Sequence, residues 1–126
     1  MIEFLHVDDV LLMHSDLVER YGGEHALRDR GLLESAVAQA QATFEGKRLH
    51  KNVFMMAAAY LFHIVRNHPF VDGNKRTGAV AALAFLDING IEVIAPKGEL
   101  YEITLAAANG KASKDAIAGF LRSYAR

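Results

Sequence analysis

The chain has 126 residues, 52% of them apolar, with a formal net charge of −1 and no cysteine. That length fits one domain, 1–126, with a core of its own, and the composition excludes disulfides and thiolate metal sites. The near-neutral charge, without a run of like charges, excludes a broad nucleic-acid footprint, so no direct nucleic-acid contact is expected.

The N-terminus lacks the basic start and long apolar stretch of a signal peptide, so the cytoplasm is the expected location. Val7, Val10, Leu11, His14, Leu17, Val18 and Tyr21 follow helical spacing, with Asp8 and Asp9 in the first turn. His14 reads as one more residue on the face of this helix. Gly22-Gly23 ends it. Asp29 can cap a second helix, whose inner face is Leu32, Leu33, Ala36, Val37, Ala40 and Phe44. Phe44 to His50 then reads as a polar connection around Gly46.

A third helix is predicted from Lys51 to Asn67. It is apolar nearly all round, as in a helix buried on most sides, with Met55 and Met56 as core filler. Its apolar stretch, Val53 to Val65, is broken by His63 and too short to span a bilayer, so no membrane partner is expected. His63 reads as a buried, hydrogen-bonded core histidine. A fourth helix is predicted from Asn74 to Asn89, stopped by Gly90. Ile91 to Ile94 is a short extended piece. Pro96 starts a fifth helix with Leu100, Ile103 and Ala107, which stops at Asn109-Gly110. Ser113 caps a sixth, with Ala116, Ile117, Phe120, Leu121 and Tyr124 inward. The sum is an all-α fold, a compact bundle of about six helices.

Between the third and fourth helices lies His68-Pro-Phe-Val-Asp-Gly-Asn-Lys-Arg76. A core does not need an imidazole, a carboxylate, an amide and two cations so close together. Asn74 is a favoured N-cap type, and Gly73 frees the backbone for a tight turn before it. The first helical turn carries unpaired N–H groups and the positive end of the dipole, which suit an anion. Lys75 and Arg76 oppose that dipole, so two adjacent cations there call for a bound anion such as phosphate. Asp72 stands beside that cradle and suits Mg²⁺, which takes one or two carboxylates plus phosphate oxygens. His68 suits a general base. Pro69 stiffens the loop, and Phe70 with Val71 supplies an apolar anchor.

These residues resemble the signature of the Fic/Doc family, His-x-Phe-x-Asp/Glu-Gly-Asn-Gly/Lys-Arg. The match is His68, Phe70, Asp72, Gly73, Asn74, Lys75 and Arg76. Tyr21-Gly-Gly, Leu27-Arg-Asp-x-Gly-Leu-Leu-Glu-Ser35 and Arg66-Asn-His-Pro-Phe70 resemble the compact Doc (death-on-curing) toxin branch. The resemblance implies the Fic/Doc fold, with the active-site loop between two central helices. It implies His68 as the base that activates an acceptor hydroxyl and Asp72 as Mg²⁺ ligand. Gly73, Asn74, Lys75 and Arg76 would hold the phosphates of ATP, with Arg66 as a further nucleotide contact.

The same resemblance implies transfer of the γ-phosphate to a threonine of elongation factor Tu, which halts translation, and restraint by a cognate Phd-like antitoxin. AMP-transferring members have Gly at the position of Lys75 and a second Arg at that of Ala79. AMP transfer is therefore the alternative, and a nucleotide-binding module without turnover is a third reading. No inhibitory Ser/Thr-x-x-x-Glu-Gly/Asn helix is present; Ser15-Asp-Leu-Val-Glu19 comes closest, but Arg20 follows it. Phe44 to His50 would be the flap that aligns the target's backbone.

Overall fold

The structure, a computed structural model, describes residues 1–126. Six α-helices carry the fold: α1 Val7–Tyr21, α2 Arg30–Ala38, α3 Val53–Asn67, α4 Asn74–Ile88, α5 Glu99–Ala108 and α6 Lys114–Ser123. The predicted all-α bundle is the observed one, with one small addition. Thr43–Phe44 (β1) and Lys47–Arg48 (β2) pair antiparallel as a hairpin. Both residues of its turn, Glu45 and Gly46, have positive φ, the backbone that a tight two-residue hairpin turn requires. No helix is long and apolar enough to cross a membrane.

Several predicted boundaries move. α2 ends at Ala38 and a 3₁₀ turn, Gln39–Gln41, follows. Phe44 is therefore no part of an inner helical face; it stands 70% exposed on the hairpin. α3 starts at Val53, because the Asn52 side chain accepts the Met55 N–H at 2.9 Å. α5 starts at Glu99 rather than Pro96, behind Gly98 at φ +88°. In α6 the buried positions are Ile117, Ala118 and Leu121, while Ala116 faces solvent. The caps at Asp29 and Ser113 are as predicted: each side chain accepts the N–H three residues on.

α3 is the central helix. It packs on α2, α4, α5 and α6, and Met56 to Leu61, Ile64 and Val65 are buried. Each large apolar side chain so buried contributes about 1.5–3 kcal/mol. The closest partner of α3 is α4. Gly78 makes that approach possible, because a Cβ there would lie 3.0 Å from Val65 Cγ1 and 3.2 Å from the Leu61 carbonyl oxygen. Ala81 and Ala82 continue the small-residue seam into the core. The loop from His68 to Gly73 thus joins two tightly packed core helices, and its ends cannot drift apart.

Candidate active site

α3 stops at Asn67 because His68 turns left-handed, at φ 52° and ψ 55°. That backbone costs a non-glycine residue about 1–2 kcal/mol, and its neighbours hold it. The His68 N–H donates to the Ile64 carbonyl at 3.1 Å. Arg28 Nε donates to the His68 carbonyl at 2.7 Å, and its other nitrogen to the Asn67 carbonyl at 2.9 Å. A guanidinium so placed also offsets the negative end of the α3 dipole. The rest of the loop lies along residues 26–29. Arg28 and Asp29 donate their N–H groups to the Pro69 carbonyl, and the Val71 N–H donates to Ala26.

Asn74 is not the N-cap of α4. The cap is Gly73, at φ +81°, and Asn74 is the first helical residue. Its side chain points back into the loop and is buried. Oδ1 accepts the Phe70 N–H at 2.9 Å, while Nδ2 donates to the Phe70 carbonyl at 2.9 Å. Nδ2 also lies 3.1 Å from His68 Nδ1. The Phe70 N–H fixes which end of the amide is oxygen, so Nδ2 donates to His68. The Asn74 side chain is thereby committed to holding the loop and the imidazole.

Phe70 is the predicted anchor, 1% exposed. Its ring stacks on His14 with centroids 3.7 Å apart. His14 is itself 2% exposed and donates from Nε2 to the Asp72 carbonyl at 2.7 Å. Helical periodicity placed His14 on the right face and missed this contact, which spans 58 positions.

A cleft of about 700 Å³ opens over this loop. His68, Asp72, Gly73, Asn74, Lys75 and Arg76 all line it, as does Ala79, with Tyr21 and Tyr101 among the other wall residues. No side chain caps α4, so its first-turn N–H groups face the cleft side unclaimed. His68, Asp72, Lys75 and Arg76 are exposed. The Arg76 guanidinium rests 4.5 Å over the Tyr21 ring, a cation–π contact that orients a charge without neutralising it. Arg66 is the exception among the candidates. It does not line the cleft; its guanidinium reaches the Ala108 carbonyl at 3.4 Å and packs on Gly110 at the end of α5.

No group of three or more His, Cys, Asp or Glu side chains gathers anywhere. The cleft offers one carboxylate, Asp72, whose Oδ1 accepts the Gly73 N–H at 2.9 Å. One hard oxygen donor beside the Lys75 and Arg76 cations fits Mg²⁺, which keeps waters and takes oxygens of a bound phosphate where one is present. It does not fit zinc, which wants three or four protein ligands.

A second polar cluster lies apart from the cleft. Lys114 Nζ donates to His50 Nε2 at 3.2 Å and to His63 Nε2 at 3.0 Å. His63 is half-buried and hydrogen-bonded, and His50, read from sequence as part of a polar connection, is buried. Burial, then the Lys114 charge, then His50 push His63 down to about 4. Burial and Lys114 also lower His50, and burial lowers Lys114. Both imidazoles are therefore neutral acceptors for one ammonium.

A family model described as the Fic/DOC family matches residues 4–86. "Toxin Doc" of Mycolicibacterium smegmatis (strain ATCC 700084 / mc(2)155) is 46% identical over 95 residues, which cover 75% of this chain and 71% of that protein. "Protein kinase doc" of Escherichia phage P1 is 34% identical over 115 residues, which cover 91% of this chain and 90% of that protein.

Proposed function

This chain belongs to the Fic/Doc family, and on that premise we propose that it is a Doc-like toxin that moves the γ-phosphate of ATP to a protein hydroxyl. The carrying observation is the convergence of His68, Asp72, Lys75 and Arg76 on one cleft at the bare N-terminus of α4. The relatives named toxin and protein kinase support the reading.

Phosphoryl transfer asks mainly for positioning and charge neutralisation. The α4 amides and the Lys75 and Arg76 side chains bind the phosphates. Asp72 would hold Mg²⁺, which supplies further neutralisation of the phosphate oxygens when bound. His68 takes the proton of the acceptor hydroxyl. In the free chain its Nδ1 accepts from Asn74, so the neutral ring carries its proton on Nε2. The basic lone pair of that ring is on Nδ1, so taking the hydroxyl proton there gives up the Asn74 hydrogen bond.

In this reading the acceptor is a threonine of a translation factor, elongation factor Tu, and restraint comes from a cognate Phd-like antitoxin. The hairpin Thr43–Arg48 serves as the flap for the target's backbone. It is exposed, and Arg48 ties it back to the body over the Phe4 ring at 4.8 Å.

Lys75 and Ala79, both in the cleft wall, favour the kinase over AMP transfer. The test uses ATP labelled on the γ- or the α-phosphate, with Mg²⁺ and bacterial elongation factor Tu. Label arriving from γ alone is the expected result. Label from α would make the chain an AMP transferase. Nucleotide binding with no covalent product, here and across a bacterial lysate, would leave a binding module.

A further inference from the structure

α1 touches the active-site loop at points that the reading above leaves without a role. The His14 ring is flanked on one face by Phe70, at 3.7 Å and 6° between planes. Its Nε2–H donates to the Asp72 carbonyl at 2.7 Å. A carbonyl offers only lone pairs, so the proton is on Nε2. Gly73 lies against the ring: a Cβ there would meet His14 Cδ2 and Nε2 at 3.5 Å. The peptide between Asp72 and Gly73 is thus gripped from both sides. Its carbonyl binds His14, and its N–H binds the Asp72 carboxylate at 2.9 Å. A histidine that merely filled the core would have no reason to place its one N–H on the middle carbonyl of this loop.

We propose that His14 is a positioning residue of the active site. Its hydrogen bond and ring stack fix the Asp72–Gly73 peptide. That peptide sets both the direction of the Asp72 carboxylate and the first turn of α4, from which Lys75 and Arg76 reach the cleft. The effect on metal and nucleotide rests on the phosphotransfer reading of that cleft; the effect on the loop does not.

The experiment compares three full-length chains. His14→Phe keeps an aromatic ring against Phe70 and removes the donor. His14→Gln restores a donor without the ring. Hydrogen exchange at the Val71 and Gly73 amides, which donate to the Ala26 carbonyl and to the Asp72 carboxylate, reports the loop itself. Calorimetric binding of a non-hydrolysable ATP analogue, titrated with Mg²⁺, reports the site. Exchange in His14→Phe is expected to be at least tenfold faster at these amides and unchanged in α6. The Mg²⁺ concentration needed for half of the gain in nucleotide affinity is expected to rise at least tenfold, and His14→Gln is expected to recover most of both effects. Parent-like exchange in a folded His14→Phe overturns the proposal. Where phenylalanine overfills the site, His14→Leu carries the same test. If the parent chain binds no nucleotide, the cleft reading fails, and amide exchange alone still decides whether His14 holds the loop.

Discussion

The side-chain amide of Asn74 closes on the Phe70 backbone from both ends and meets His68 Nδ1 at 3.1 Å with its remaining hydrogen. One buried side chain therefore shapes the loop and sets the tautomer of its histidine. In the free chain at a pH where His68 is neutral, nitrogen NMR is expected to find the proton on Nε2. A proton found on Nδ1 would mean that the amide does not govern the ring. Asn74→Ala strands the Phe70 N–H and carbonyl, at about 1–3 kcal/mol of stability, and transfer is expected to fall at least a hundredfold.

His68→Ala separates chemistry from binding. The ring is exposed at the end of α3, so its removal leaves no cavity in the core. Transfer is expected to vanish while nucleotide affinity stays within about threefold of the parent, less than 1 kcal/mol. Lys75→Ala and Arg76→Ala are expected to weaken affinity and turnover together. Near-normal transfer by His68→Ala would remove the base assignment and leave the cradle assignment standing.

Gly23 follows α1 at φ +117°, and a Cβ there would lie 2.7 Å from Asp72 Oδ2. Gly23→Ala therefore meets both a backbone penalty and a clash with the carboxylate, about 1–3 kcal/mol together. The clash falls on the candidate metal ligand. Gly23→Ala is expected to raise the Mg²⁺ requirement for nucleotide binding, whereas Gly22→Ala, with nothing within 4 Å, is expected to lower stability alone. Equal Mg²⁺ profiles for the two variants would show that Asp72 moves aside freely.

The legible part of this site is local in sequence. His68 to Arg76 form one short run, so residue types and spacing were enough to expect a phosphate cradle, a base and an anchor. The helices were legible for a similar reason: an apolar stripe with a capping Asp29 or Ser113 needs no distant partner. What comes from across the fold was not. His14 fits an apolar stripe on α1, and nothing in that stripe says that its ring meets Phe70 and Asp72. Arg28 gave no sign that it caps α3. Asn74 was misread because its cap propensity is real, yet Gly73 takes the cap and frees the amide to turn back. The hairpin escaped because strands of two residues have no periodicity to detect. Arg66 looked like a nucleotide ligand through its place beside the motif, and its guanidinium goes to α5.

The cluster of Lys114, His50 and His63 gives the fold an acid limit. His63 is held near 4 in the folded chain against 6.5 for the free side chain. Between those values the unfolded chain binds a proton that the folded chain refuses, so stability falls as pH falls. The full benefit is present above about pH 6.5 and is lost as pH drops toward 4. His50 acts in the same direction. Because His63 is partly exposed, its share comes to about 1–2 kcal/mol after solvent screening. Chemical denaturation at a series of pH values is expected to show this slope. His63→Gln keeps an oxygen acceptor for the Lys114 ammonium and does not titrate, so it is expected to flatten most of the slope. Lys114→Met removes a charge that helps to hold both imidazoles below their ordinary value, so their folded-state values rise toward the 6.5 of the unfolded chain and the acid slope is expected to become shallower. A His63→Gln chain with the parent's slope would place the acid sensitivity elsewhere in the molecule.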